Sequence, residues 1–209
     1  IKLFYGKPLI SYSIKLAKNS KIFDSIIVST DDIEIKNISE EYGADVPFLR
    51  PKNLSDDLTP TLPVISHAIN ECSKLGLKFK NICCIYPTAP FVTISDILNS
   101  YKLLNENKEY FCFPITEFPS SIFRSFTIDE KSKVKPVYPE NELKRTQDLK
   151  PVYYDCGQFY WGTKFKWLNS KKIHSNGMGY IIPNWRVVDL DTEEDWKRAE
   201  LLSTVLVRG

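Results

Sequence analysis

Val188-Asp189-Leu190-Asp191-Thr192 sets two carboxylates one residue apart at the end of an apolar run. Alternate residues of an extended strand share a face, so Asp189 and Asp191 can converge on one hard cation. Mg²⁺ accepts one or two carboxylates and completes its shell with phosphate oxygens and water, which makes phosphate chemistry the first expectation. The same stretch is also an ordinary helix start, because Asp191-Thr192-Glu193-Glu194 sets negative charge against a positive helix end. Three further polar clusters follow apolar segments: Ser29-Thr30-Asp31-Asp32, Arg50-Pro51 with Asp56-Asp57, and Pro87-Thr88-Ala89-Pro90. Asp31 and Asp32 read first as helix caps.

Tyr153 to Gly162 holds five aromatics in ten residues. Core packing accounts for alternate positions; the others could form a wall against a sugar, with Asp155 or Gln158 bonding its polar groups. His67 falls on a helix and His174 in a loop with no nucleophile nearby, so no Ser-His-Asp arrangement is supported. The eight glycines form neither G-x-G-x-x-G nor a Walker loop, which disfavours those two nucleotide folds. The five cysteines, Cys72, Cys83, Cys84, Cys112 and Cys156, lack metal or redox spacing and read as reduced core residues.

The elements that must position these groups alternate. Pro8 can open a first helix that carries Ile10, Ile14 and Ala17 to about Asn19. Ile26-Ile27-Val28 reads as a buried strand, followed by a helix with Ile35, Ile38 and Tyr42 on one face that stops at Gly43, and by a short strand from Val46 to Leu49. Arg50 to Pro63 is a loop, and a helix then runs from Val64 to Gly76. Next come a strand over Ile82 to Tyr86, a helix capped by Thr93 and Asp96 that runs to Asn105, and a strand over Phe111 to Ile115. This rhythm predicts an α/β fold with a mostly parallel sheet and helices on both faces.

Residues 117–151 break the rhythm. Weak strands at Ser125 to Ile128 and Lys135 to Tyr138 suggest a surface hairpin, or an arm that embraces a second subunit. Strands resume at Gln158 to Gly162, Tyr180 to Ile182 and Val187 to Asp189, before a last helix from Glu193 to Val205.

The chain has 209 residues, room for one domain, and a formal charge of +2. With both signs mixed along the chain, neither nucleic acid nor a membrane surface is expected as a partner. The longest apolar run, Ile82 to Tyr86, has five residues, far short of the roughly 20 a spanning helix needs, so a soluble protein is expected. With reduced thiols and no secretory signal at its start, a cytoplasmic location is expected as well.

Taken together, the ordered motifs resemble the acylneuraminate cytidylyltransferases, which make CMP-activated nonulosonic acids. The likeness rests on Gly6-Lys7-Pro8-Leu9-Ile10, Ile27-Val28-Ser29-Thr30-Asp31, Leu49-Arg50-Pro51 with Leu54 and Asp57, Pro87-Thr88-Ala89-Pro90, and Val188 to Glu193, and it covers nearly the whole chain. Lys144 to Leu149 and Tyr154 to Gly162 most resemble the pseudaminic acid branch. The resemblance implies a Rossmann-like nucleotidyltransferase domain over 1–209 and a homodimer with 117–151 as its arm. It places CTP on Arg50, Thr61, Pro87 and Thr88, catalytic Mg²⁺ on Asp189 and Asp191, and the sugar acid on Tyr154, Asp155, Gln158, Tyr160 and Arg145. In this family a first strand and a basic triphosphate loop lie ahead of the position of Ile1, so both are expected upstream. Tyr86 stands where many sialic acid members carry Gln, which favours pseudaminic over N-acetylneuraminic acid. The alternatives are activation of an N-acetylneuraminic, legionaminic or octulosonic acid, or a catalytically silent nucleotide-binding homologue.

Overall fold

The computed structural model describes residues 1–206 except Asn176, Asp189 and Asp191. The chain enters through a tight ladder of β1 (Leu3–Phe4) and β2 (Lys7–Pro8), turning at Tyr5 and Gly6 with φ of 46° and 71°. Pro8 therefore pairs with Leu3 and does not open the helix; α1 (Ile10–Ser20) starts two residues later and buries Ile14 and Ala17 as its periodicity requires. The Asp32 carboxylate caps α2 (Ile33–Glu41) by accepting from Ile35 N at 2.9 Å. α3 (Thr61–Lys74) begins earlier than its apolar spacing suggests, because Pro63 falls in the first turn, where a missing N–H breaks no helical bond.

β3 (Asn81–Ile85) leads to α4 (Ile94–Glu106), whose start is a capping box: Thr93 Oγ1 accepts from Asp96 N, and Asp96 Oδ2 accepts from Thr93 N. β4 (Cys112–Glu117) follows, then the exposed antiparallel hairpin of β5 (Phe126–Ile128) and β6 (Val134–Pro136). The hairpin sits where the weak strands were expected. β7 (Tyr153–Asp155), β8 (Phe159–Thr163), α5 (Lys164–Asn169), β9 (Met178–Ile181) and α6 (Glu193–Leu206) complete the chain. No helix among the described residues is long and apolar enough to cross a membrane.

The sheet is mixed, which corrects the mostly parallel expectation. β8 pairs antiparallel with both β3 and β4, β7 pairs antiparallel with β4, and β9 runs parallel along the other edge of β4. β3 and β4 do run parallel to each other, as a helix between them requires, but β8 inserts between them from much later in the chain. A local β-α-β rhythm cannot register that insertion. Helices cover both faces as expected. Phe159 and Trp161 of β8 join Ile97 and Leu104 of α4 on one face; Tyr160 joins Ile69, Phe113 and Trp167 on the other.

Three expected strands do not form among the described residues. Ile26 to Val28 and the segment near Val46 make a single parallel bridge, Ile27 to Asp45, with Val28 N donating to Asp45 O at 2.9 Å. Ile26 to Val28 is thus hydrogen-bonded on one side, and its other side opens on a cleft whose opposite wall is β3. Val187 and Val188 likewise form no strand, although both are buried.

Candidate active site

The cleft encloses about 850 Å³ between Ile26–Val28 and Ile82–Ile85, and its walls are mostly apolar. Ser29, Thr30, Arg50, Thr59, Thr61 and Tyr86 line it as a polar group. They follow the two apolar segments, where a sheet of this class gathers its ligand groups. Two of the sequence clusters meet here. Arg50 N donates to Thr30 O at 2.8 Å, and the Arg50 guanidinium reaches Asp31 Oδ1 at 3.4 Å and Ser55 Oγ at 3.1 Å. Asp31 thus orients an arginine as well as preceding a helix. Ser29 Oγ is buried and has no hydrogen-bond partner among the described residues, a polar atom that a ligand could satisfy. Asp56 turns inward on its own loop: the Thr59 hydroxyl and Leu58 N donate to its carboxylate, and those bonds hold its pKa low.

Thr61, the first residue of α3, shares a short hydrogen bond with the Tyr86 hydroxyl and so joins the cleft to the aromatic stretch. The Tyr86 ring lies 5.6 Å from that of Tyr160. Tyr160 donates to Asp155 Oδ2 at 2.5 Å, and Asp155 Oδ1 accepts from Gly157 N at 3.1 Å. Burial first, then the bond to Asp155, pushes the Tyr160 phenol well above its ordinary range, so it stays a donor. Pro87 borders the cleft, and Thr88 follows it in the same loop.

Not every expected sugar contact gathers here. Tyr154 alternates with Asp155 along β7 and faces the other way, packing with Cys156, Ile182 and Val187 while its hydroxyl accepts from Asn184 at 3.2 Å. Gln158 is buried, and its Oε1 has no partner among the described residues. Arg145 forms an ion pair with Asp148 inside the 117–151 excursion, at 2.8 Å.

Asp189 and Asp191 lie outside the described residues. Their neighbours are placed: Val188 and Leu190 pack with Phe4, Phe91 and Trp196, beside the loop that follows β3. Thr192 and Asp195 cap α6 reciprocally, with Asp195 N donating to Thr192 Oγ1 at 3.2 Å and Thr192 N to Asp195 Oδ2 at 2.9 Å. The helix start read from the sequence is therefore real, and it begins just after the carboxylate pair.

Two groupings escaped the sequence. His174 Nε2 meets Asp155 Oδ2 at 2.6 Å, although 19 residues separate them. Arg186 forms a two-pronged ion pair with buried Asp96, at 2.7 and 3.0 Å across 90 residues. Neither partner carries a local signal for the other. All five cysteines are free, as expected, and burial pushes the Cys84 and Cys156 thiols up to about 12, which leaves no thiolate nucleophile near neutral pH.

The family model described as Cytidylyltransferase matches residues 1–173. A pseudaminic acid cytidylyltransferase of Campylobacter jejuni serotype O:2 is 38% identical over 97% of this chain and 88% of its own length. A CMP-N,N'-diacetyllegionaminic acid synthase of Legionella pneumophila is 26% identical over 96% of this chain and 87% of its own. Among solved structures, a CMP:2-keto-3-deoxy-manno-octonic acid synthetase complexed with CTP superposes with a TM-score of 0.70 at 9% identity, covering 98% of this chain and 91% of that one. At that identity the likeness establishes an α/β nucleotidyltransferase fold.

Proposed function

Because the chain belongs to the cytidylyltransferase family, we propose that it transfers CMP from CTP to the anomeric hydroxyl of a nonulosonic acid, pseudaminic acid, and releases pyrophosphate. It is a CTP-dependent nucleotidyltransferase. The observation that carries the reading is that Ser29, Thr30, Arg50 and Thr61 gather at the polar rim of the cleft, and that Thr61 is hydrogen-bonded to Tyr86, whose ring packs on the Tyr160–Asp155 pair.

The sugar hydroxyl attacks the α-phosphorus in line with the departing pyrophosphate, so most of the barrier is alignment and charge. The Arg50 guanidinium, braced by Asp31 and Ser55, has fixed N–H donors to offer the nucleotide. Thr61 and Pro87 border the nucleotide, while the Tyr86 ring, backed by buried Tyr160, presents an apolar face to the sugar. A terminal methyl and two acylamino groups, as in pseudaminic acid, suit that wall better than a glycerol tail. The donor set of Asp189 and Asp191, two carboxylates one residue apart in the sequence, fits Mg²⁺. When bound there, Mg²⁺ supplies Lewis acidity at the phosphate oxygens and lowers the hydroxyl's pKa.

Two further parts belong to this reading. The apolar cleft between two strand-like segments suits a further strand, supplied with a triphosphate loop by residues ahead of Ile1. The hairpin β5–β6 exposes Phe126, Ile128 and Val134, an apolar surface suited to a second copy of the chain. Substrates of this kind and reduced thiols suit the cytoplasm.

The test is pyrophosphate release by the full-length protein with CTP and a panel of nonulosonic acids. Pseudaminic acid is expected to exceed N-acetylneuraminic acid by at least about tenfold in kcat/KM. Equal turnover removes the pseudaminic assignment, and no turnover of any nonulosonic acid removes the activity. Asp191→Ala is expected to lower kcat by at least about 100-fold, on the scale of losing one group that stabilises transition-state charge.

A further inference from the structure

The cluster around Asp155 is closed on itself except at one end. Asp155 Oδ1 accepts from Gly157 N, while Oδ2 accepts from Tyr160 and meets His174 Nε2. Both carboxylate oxygens are therefore engaged in internal bonds, and Tyr160 has already given its proton to one of them. The outer member is His174. Its side chain is 59% exposed, and its ring is held edge-on by Phe113 at 5.2 Å and Tyr160 at 6.0 Å. Nδ1 has no hydrogen-bond partner among the described residues. The partner of one ring nitrogen sets the role of the other: with Nε2–H donating to Asp155, Nδ1 is an acceptor in a fixed position.

Resting on the reading of this wall as the sugar site, we propose that His174 is a specificity-determining contact, whose Nδ1 accepts a hydrogen bond from an acylamino N–H or hydroxyl of the sugar acid. Asp155 is the positioning residue behind it. Tyr86 packs on Tyr160 at 5.6 Å and Tyr160 on His174 at 6.0 Å, so a buried ring links the exposed imidazole to the residue at the rim of the cleft and sets it within reach of a sugar held there. An acceptor that the bound sugar covers discriminates against a substrate that leaves it unpaired, which is how one ring nitrogen selects among acids that differ in their acylamino groups.

Two variants of the full-length protein separate contact from bracing. His174→Gln keeps a donor near the position of Nε2 and loses the atom at Nδ1; His174→Asn keeps a polar atom near Nδ1. With CTP and pseudaminic acid as the probes, His174→Gln is expected to raise KM for the sugar about tenfold, leaving KM for CTP and Tm as in the wild type. His174→Asn is expected to recover part of that loss. A wild-type sugar KM in His174→Gln overturns the inference, and so does an asparagine variant no better than the glutamine one. A parallel rise of both KM values, or a lowered Tm, marks a bracing role and overturns it too. If the wild type turns over no nonulosonic acid, the underlying reading falls and this inference falls with it; wild-type turnover with unaltered variants removes this inference alone.

Discussion

Asp96 and Asp155 are both hubs that gather donors from distant parts of the chain, and they spend that capacity differently. Asp96 is 3% exposed and takes Thr93 from its own helix cap and Arg186 from the turn ahead of Val187 and Val188. Its partner is a full charge that burial would otherwise penalise, so the pair ties α4 to the segment that leads to Asp189 and Asp191. Asp155 has a side chain 26% exposed, and its side-chain partners are a phenol and an imidazole. One carboxylate holds the frame of the site while the other aims a ring at its surface. Depth and the charge of the partner decide which role a carboxylate takes.

The sharpest way to break this contrast is Arg186→Ala. Removing one member of a buried pair strands the other, so a loss of about 3–5 kcal/mol is expected in urea unfolding. The joint change of Asp96→Leu with Arg186→Met should restore most of it, because no charge is then left buried alone. A loss below about 1 kcal/mol for Arg186→Ala, the range of exposed pairs, would put the two aspartates in the same class.

Acid should separate them next. Burial raises the pKa of Asp96, but hydrogen bonds from Arg186 and Thr93 outweigh it and hold the carboxyl below its usual value. Because the folded pKa is the lower one, the stabilisation is present above the unfolded value near about 4 and is lost as pH falls through the folded value. Tm measured from pH 5 downward should therefore fall more gently in the Asp96→Leu, Arg186→Met protein than in the wild type.

Asp155→Asn is expected to cost only about 1 kcal/mol of stability, the scale of one net hydrogen bond, while raising KM for the sugar. A large loss of stability with unchanged KM would reverse the contrast. The smallest effect is an absence of reaction: native protein near neutral pH should resist alkylation at Cys84, Cys112 and Cys156, whose thiols burial raises to about 12, about 11 and about 12. Rapid labelling, read by mass spectrometry, would show that this core opens.

Much of the frame was legible before any coordinates. The Thr93–Asp96 capping box, the Asp32 cap and the helix after Thr192 depend on residues three apart, and the hairpin pairs residues six to ten apart, spans that the sequence displays directly. The Ser29–Asp32 cluster and Arg50 were each visible after an apolar segment, but the fold decided that they meet. The direction of β8 was not legible, since pairing with β3 across about 80 residues leaves no mark on either strand alone. Nor was the orientation of Tyr154, which an alternation of faces turns away from its neighbour Asp155.

The amino-acid sequence determined which segments fold locally, which family they belong to and which residue types can meet a nucleotide, because periodicity, capping and motif spacing act over a few residues. Tertiary packing alone decided that His174 reaches Asp155 and that Arg186 reaches Asp96. Such pairs form when closing a long loop is offset by the core buried along with it, and that core is a property of the whole chain.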